Sequence, residues 1–326
     1  MRVLICDRFD IDALAMLKGN KGLDVSVASD QSAGNLLGVS PTELKQTHAL
    51  IIRSRLKVSR ELLGEMPELK VIVTATSGFD HIDLKETQAR GIKVMHTPDA
   101  NAASACELTI GLAFACARKL VDAHRAVKTG AWRREPLVGQ ELCGKTWGIV
   151  GLGRIGSRVA VVAQALGMKT IAFDPYRDSF PANVTRMALD ELLKLADVVS
   201  FHVPATSETR TMLNAARFAE MNHGALIINT SRGSVISERD LLEALNNGWV
   251  AGAGLDVFER EPLARDSKLN TFSNVVLSPH LGAAPNEAFF AASREAAEKI
   301  LAFARDGSVS DPLPPLNAPW FELGFN

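Results

Sequence analysis

The stretch Thr146-Trp147-Gly148-Ile149-Val150-Gly151-Leu152-Gly153-Arg154-Ile155-Gly156 constrains this chain more than any other. Residues 146–150 form a short apolar run suited to a buried strand, and Val159, Val162, Ala163 and Leu166 follow with helical spacing. The glycines therefore fall between strand and helix. Gly151 permits the tight turn, Gly153 lets backbone N–H groups approach a pyrophosphate at the helix N-terminus, and Gly156 lets the helix pack closely on the strand. A second apolar run, 169–173, ends in Asp174, about 20 residues past the glycines, where a carboxylate can accept hydrogen bonds from both hydroxyls of a ribose. These residues predict a dinucleotide site built from Gly151, Gly153, Arg154, Ile155, Gly156 and Asp174. An added 2′-phosphate is repelled by the acid, so NAD is favoured over NADP. Arg177 is the one basic residue near enough to meet such a phosphate, and it reads as a solvated loop arginine.

A chain of 326 residues is long enough for two domains with sizeable cores. Lys and Arg number 36 against 37 Asp and Glu, so no global field argues for nucleic acid or a membrane surface as partner. Cys6, Cys106, Cys116 and Cys143 show no metal-ligand spacing and are expected to be free, buried thiols in a reducing compartment; no metal site is predicted. The first apolar run, residues 3–6, is too short for a signal peptide, and no stretch approaches a membrane span. Cytoplasmic placement is the expectation.

Apolar runs at 3–6, 24–28, 49–53, 70–75 and 92–95 alternate with helical segments, and Ser40-Pro41-Thr42-Glu43 marks one helix start with a capping pattern. Alternation of this kind implies a parallel sheet with helices on its faces. Residues 102–120 read as one long helix, apolar throughout and buried between two bodies. Residues 121–145, with Trp132, Arg133, Arg134 and Pro136, break the rhythm as an excursion suited to a homodimer surface. Strands resume near 198–201, 225–229, 250–255 and 275–277, with a helix start at Ser237-Glu238-Arg239-Asp240 and a final helix over 285–304. The proline-rich tail from Asp311 is expected to lie irregularly along the surface.

Three loops at strand ends carry reactive residue types: Thr230-Ser231-Arg232-Gly233, Asp256 to Pro262, and Ser278-Pro279-His280-Leu281-Gly282. Hydride transfer between a nicotinamide and a 2-keto acid needs a cation for the carboxylate, a proton donor for the developing alkoxide, and a control on that donor. Arg232, His280 and Glu261 supply one of each. Arginine binds a carboxylate bidentately, and a carboxylate beside a histidine favours its protonated form and fixes its ring. His202 and Val203, after another strand, are expected to line the cofactor pocket.

The runs GLGRIG, FDPY, NTSRG, GLDVFEREP and SPHLGA, with RSRLKV at 53–58, TATSGFDHIDL at 74–84 and TPDANAASACELTIGL at 97–112, resemble the D-2-hydroxyacid dehydrogenase family over nearly the whole chain. Within it the likeness is greatest to the phosphoglycerate dehydrogenase branch. The resemblance implies an α/β fold of two domains, with a Rossmann-type cofactor domain at 99–285 inserted in a flavodoxin-like substrate domain at 1–98 and 286–326. It implies Arg232 as carboxylate binder, Glu261 and His280 as the acid–base pair, and Val203, Thr230, Ser231 and Asp256 on the NAD side, Asp256 near the nicotinamide amide. By the same matching, Ser77 and Gly78 meet the substrate through backbone N–H groups, Asn101 meets its carboxylate or phosphate, and Arg53 and Arg55 bind a distal phosphate. Leu56 stands where the family often has threonine. A small-molecule 2-keto or 2-hydroxy acid is the expected partner, 3-phosphohydroxypyruvate first and glyoxylate or hydroxypyruvate as alternatives, with a cleft that closes between the domains. An NADH-sensing corepressor is the distant alternative. The sequence ends before the regulatory domain that many phosphoglycerate dehydrogenases append, so feedback through such a domain is not expected.

Overall fold

Val, Ile and Leu crowd into runs of four to six residues that are buried from end to end, as in 49–52 and 71–74, and strands buried on both faces are those of parallel sheets covered by helices. The computed structural model describes residues 1–28, 36 and 38–313 and divides the chain into two compact units, residues 1–101 with 283–313 and residues 102–282. The first unit opens with β1 (Arg2–Ile5), α1 (Ile11–Lys18), β2 (Asp24–Val27), α2 (Pro41–Lys45), β3 (Ala49–Ile52), α3 (Arg60–Gly64), β4 (Val71–Thr74), α4 (Leu84–Ala89) and β5 (Lys93–His96). The second contains α5 (Ala102–Ala117), α6 (Leu120–Lys128), β6 (Thr146–Val150), α7 (Arg154–Ala165), β7 (Lys169–Phe173), β8 (Val184–Arg186), α8 (Leu189–Leu195), β9 (Val198–Phe201), α9 (Ala215–Glu220), β10 (Ala225–Asn229), α10 (Glu238–Asn246), β11 (Val250–Leu255) and β12 (Val275–Leu277). The chain then re-enters the first unit with α11 (Asn286–Asp306) and β13 (Pro312–Leu313).

In the first unit the strand order is β13-β5-β4-β3-β1-β2, parallel except for β13, and its β2-β1-β3-β4-β5 part is the flavodoxin-like winding. Val3, Ile5, Ala49, Ile51, Val71 and Val73 meet Ala13 and Leu17 of α1 and Ala292, Ala296 and Ile300 of α11 in one apolar cluster. Each Val, Ile or Leu among them contributes roughly 1.5–3 kcal/mol when fully buried. Ser40 accepts from Glu43 N–H at 3.1 Å and Pro41 opens α2, as the capping pattern requires.

The tail departs from the irregular course expected of it. Pro312 and Leu313 pair antiparallel with Met95 and Val94 as an edge strand, where a proline's missing N–H is tolerated. Lys299 of α11, only 6% exposed, fixes the tail's start through Asp311 at 2.7 Å and Ser310 Oγ at 3.1 Å, and also meets Glu295 at 3.0 Å. A buried ammonium needs such partners. Pro314, Pro315 and all that follows lie outside the described residues.

The second unit is a seven-stranded parallel sheet, β12-β11-β10-β9-β6-β7-β8, whose winding reverses between β6 and β9. That reversal places the glycine turn after β6 at the switch point where open α/β sheets bind ligands. Trp147 of β6 is wholly buried, and its indole N–H donates to Ser200 Oγ at 2.9 Å. The helix expected over 102–120 ends at Ala117, because Lys119 takes a left-handed conformation, φ 50°, and a separate helix, α6, runs from Leu120 into the supposed excursion. The helix also buries one stripe, Ala102, Ala105, Cys106, Thr109, Leu112, Ala113 and Ala117, packing it on α7, β10 and β11 of its own unit. Strand β8 was not anticipated; three residues with two exposed side chains leave little apolar signal.

The four cysteines are free. Cys6 and Cys106 are buried, Cys116 is half-buried and Cys143 is exposed, so the expectation of buried thiols fails for the last. Burial pushes Cys6 and Cys116 up to about 12. Among the described residues no helix is long and apolar enough to cross a membrane, and no His, Cys, Asp and Glu cluster could hold a metal ion.

Candidate active site

The glycine turn has little room for anything larger. Gly151 adopts φ +90°, and a Cβ there meets His202 O at 2.7 Å; one on Gly156 meets Gly151 O at 2.0 Å. Gly153 faces open space, with nothing within 4 Å of a Cβ, and as N-cap of α7 it brings no side chain to cap the helix. An open cradle at an uncapped helix N-terminus fits a pyrophosphate. Arg154 and Ile155 form the helix's first turn, and Val203 lies against Gly151. His202 shares Ser200 Oγ with Trp147, at 2.9 Å, while burial pushes its imidazole down to about 3 and so keeps it neutral.

Asp174 follows β7 with both carboxylate oxygens tied to backbone, Oδ2 to Leu152 N at 2.9 Å and Oδ1 to Tyr176 N at 3.0 Å. Each oxygen keeps acceptor capacity for a ribose hydroxyl. Arg177 is not a solvated loop residue. Its guanidinium donates to Leu152 O, to Ser157 Oγ at 2.9 Å and to Ser179 O at 2.8 Å, bracing the glycine turn from the far side of Asp174.

The three reactive loops of the second unit converge. His280 donates from Nδ1 to Glu261 Oε2 at 2.7 Å, and Glu261 Oε1 accepts from Phe258 N at 3.1 Å. This bond fixes the ring and leaves Nε2 as the nitrogen able to exchange a proton. Burial by itself would raise the Glu261 carboxyl, but the hydrogen bond and charge of His280, the Phe258 amide and the charge of Arg232 outweigh it and hold Glu261 below its ordinary value. His280 occupies the left-handed region at φ 56°. Such strain, about 1–3 kcal/mol, persists only where surroundings impose it. Here Asp256, wholly buried, imposes it: its main-chain carbonyl accepts from His280 N at 2.9 Å, and its carboxylate accepts from Ser278 Oγ at 2.6 Å, Leu281 N at 2.8 Å and Gly282 N at 2.9 Å.

Arg232 is seated by Asn229, which accepts from Ser231 N at 3.0 Å and Ser231 Oγ at 2.8 Å and donates to Arg232 O at 2.9 Å. Thr230 bonds to Thr109 at 2.8 Å. A Cβ on Gly233 would fall 1.9 Å from Phe258 C, so only glycine lets this loop close on the loop that carries Glu261. Asn229 and Ser278 were missed as functional positions. Asn229 opens the run NTSRG and Ser278 the run SPHLGA, but their partners become neighbours only through the fold.

In the first unit, Ser77 and Gly78 lie in the loop after β4, Arg53 and Arg55 in the loop after β3, and Asn101 closes the segment after β5. Asp7, 2% exposed, is the carboxylate in a group with Arg8, Arg53 and Arg55; Arg55 approaches it at 3.9 Å. Arg8 and Arg53 both lie over the ring of Phe289, at 5.4 and 5.1 Å. Burial, ahead of repulsion from Arg55 and Arg8, lowers Arg53 despite the pull of Asp7, and its Nη1 is buried without a partner. Three cations around one acid, one with an unspent buried donor, are suited to an anion. Asn101 Oδ1 is likewise buried and unpartnered. Arg8 and Phe289 gave no sequence signal, being far from the basic run at 53–57.

A doubly wound sheet with a glycine turn at its switch point and an acid after the second strand defines a dinucleotide-binding protein. Residues 110–282 match the NAD binding domain of D-isomer specific 2-hydroxyacid dehydrogenases. The chain is 40% identical to a hydroxypyruvate reductase of Thermotoga maritima over 92% of its length and 97% of that protein. It is 38% identical to a D-3-phosphoglycerate dehydrogenase of Synechocystis over 92% of its own length but spans only 53% of that longer protein. Among solved structures, a D-lactate dehydrogenase of Aquifex aeolicus complexed with NAD and lactic acid superposes with a TM-score of 0.82 at 30% identity, over 94% of this chain and 96% of that one. The chain belongs to the D-isomer specific 2-hydroxyacid dehydrogenase family. Its cofactor is a nicotinamide dinucleotide.

Proposed function

We propose that this protein is an NAD-dependent dehydrogenase that interconverts a D-2-hydroxy acid and its 2-keto acid, with D-3-phosphoglycerate and 3-phosphohydroxypyruvate as the preferred pair. The observation that carries the reaction is the His280–Glu261 hydrogen bond of 2.7 Å, an oriented acid–base group in a loop next to Arg232. When bound, the nicotinamide supplies or accepts the hydride at the substrate's C2. Arg232 holds the carboxylate, and His280 Nε2 gives a proton to the C2 oxygen in reduction and takes it back in oxidation. Glu261 keeps the imidazole aligned and compensates its positive charge. Asp174 supports NAD over NADP, because a 2′-phosphate would face its carboxylate. In the first unit, Ser77 and Gly78 amides and Asn101 take the substrate's anionic groups, and Arg53 and Arg55 its distal phosphate, a role supported by the excess of cations around Asp7.

A second reading, hydroxypyruvate as substrate, is favoured by the similarity to the Thermotoga reductase over nearly its full length. NADH oxidation with 3-phosphohydroxypyruvate, hydroxypyruvate, glyoxylate and pyruvate in parallel separates the two. A preference of at least about tenfold in kcat/KM, roughly 1.4 kcal/mol, for the phosphorylated acid is expected. Preference for hydroxypyruvate moves the protein to the reductase reading, and no turnover of any of them removes the dehydrogenase reading. The exposed Trp132, Val127 and Val138 support the 121–145 segment as a homodimer surface, which sedimentation of a Trp132→Asp variant tests.

A further inference from the structure

We propose that His96 is a positioning residue that turns the backbone amides of Ser77 and Gly78 toward the substrate's anionic group; this rests on the assignment of those amides to the substrate. In a trans peptide the C=O and the N–H of one plane point in opposite directions, so a bond that anchors the carbonyl also aims the amide. Thr97 N–H donates to Thr76 O at 3.1 Å, which aims Ser77 N–H the other way. His96 Nδ1 donates to Ser77 O at 2.9 Å, which aims Gly78 N–H the other way. Thr76 Oγ1 then donates to Gly78 O at 2.8 Å. Three successive carbonyls are anchored within the first unit, while Ser77 and Gly78 N–H meet no protein acceptor among the described residues. Two adjacent donors held in advance are what an anion site requires.

The anchor is stiff. His96 ends β5, is 9% exposed, and meets the ring of Phe79 edge-on at 5.7 Å and 84°. Its own N–H bonds to Asp311 O at 3.3 Å. The run is braced further by Thr74, which bonds to Thr76 Oγ1 at 2.6 Å and to His81 Nε2 at 3.1 Å. Without the His96 donor, the Ser77–Gly78 peptide can flip and present a carbonyl oxygen where an anion needs an N–H.

Three variants of the full chain test this. His96→Ala and His96→Phe remove the donor, the second keeping a ring against Phe79. His96→Asn retains one, since its Nδ2 lies the same number of bonds from Cβ as the histidine Nδ1. Both donorless variants should raise KM for the 2-keto acid roughly tenfold with a smaller change in kcat, the NADH Kd staying within about twofold, and His96→Asn should recover most of the loss. The Kd of oxalate, a non-reacting dicarboxylate, for the NADH complex should follow the same order by calorimetry. Unchanged KM and oxalate Kd in the donorless variants, or His96→Asn as impaired as His96→Ala, overturns the proposal. Oxalate binding that follows this order in a protein with no turnover removes the reaction but supports His96; a wild type that binds no oxalate removes both.

Discussion

Glu261 lies between two donors, accepting from His280 Nδ1 at 2.7 Å and from Phe258 N at 3.1 Å, so the group that orients the imidazole is itself held by backbone. His280→Ala should therefore lower kcat by about 10²–10⁴-fold, the range of a lost acid–base group, with the NADH Kd little changed. Stopped-flow NADH binding beside steady-state turnover reads both, and retained turnover would end the proposed role.

The same pair has a pH signature. Glu261 is held below its ordinary 4.5 in the folded chain, so it contributes stability above that value and loses the contribution as pH falls through the lower, folded value. Urea unfolding of the wild type and Glu261→Gln should diverge most near neutrality and converge as pH falls below 4.5 and through the lower, folded value. An equal gap at both ends would mean the carboxylate's charge is not what the fold uses.

Asp174 should govern cofactor choice. Asp174→Ala should raise KM for NADH and narrow its preference over NADPH, since the acid that meets the ribose is gone while Arg177 remains braced on the turn. A wild type that prefers NADPH would overturn the NAD assignment outright.

At the basic group of the first unit, Arg53→Ala should raise KM for 3-phosphohydroxypyruvate about tenfold more than for hydroxypyruvate, the scale of a charge-assisted hydrogen bond. Equal effects on both substrates would remove the distal phosphate from Arg53.

Gly233 offers a test of loop closure. A Cβ 1.9 Å from Phe258 C cannot be relieved by a side-chain rotation, so Gly233→Ala should cost about 2–3 kcal/mol in urea and lower kcat as Arg232 and Glu261 are pushed apart. An alanine variant with native stability would show that the two loops yield easily.

What could be read in the sequence was local. The strand, glycines, helix and Asp174 lie within one βα unit, so spacing alone identified them, and Ser40 and Ser237 announced their helices in four residues each. The reactive loops were legible because they follow strands and carry chemistry-bearing types. What escaped depends on partners distant along the chain. Asp256 as the brace of His280, Asn229 as the seat of Arg232 and His96 as the anchor of Ser77 are ordinary polar residues until the sheets bring their partners near. Lys119 and the tail failed for a related reason: a left-handed lysine breaks no composition rule, and an edge strand of two residues exists only because β5 offers it an edge.

The return of α11 to the first unit sets an order of events during synthesis. The second unit is one uninterrupted run whose last strand, β12, is made before α11, so it can close while still near the ribosome. The sheet begun by β1 waits, because Ala292, Ala296 and Ile300, which pack on Val3, Ile51 and Val73, are translated only after the whole second unit. A nascent chain halted before residue 286 thus carries a finished nucleotide-binding unit and an apolar sheet that lacks the cover of α11, and it is the part of the polypeptide made first that would recruit chaperones.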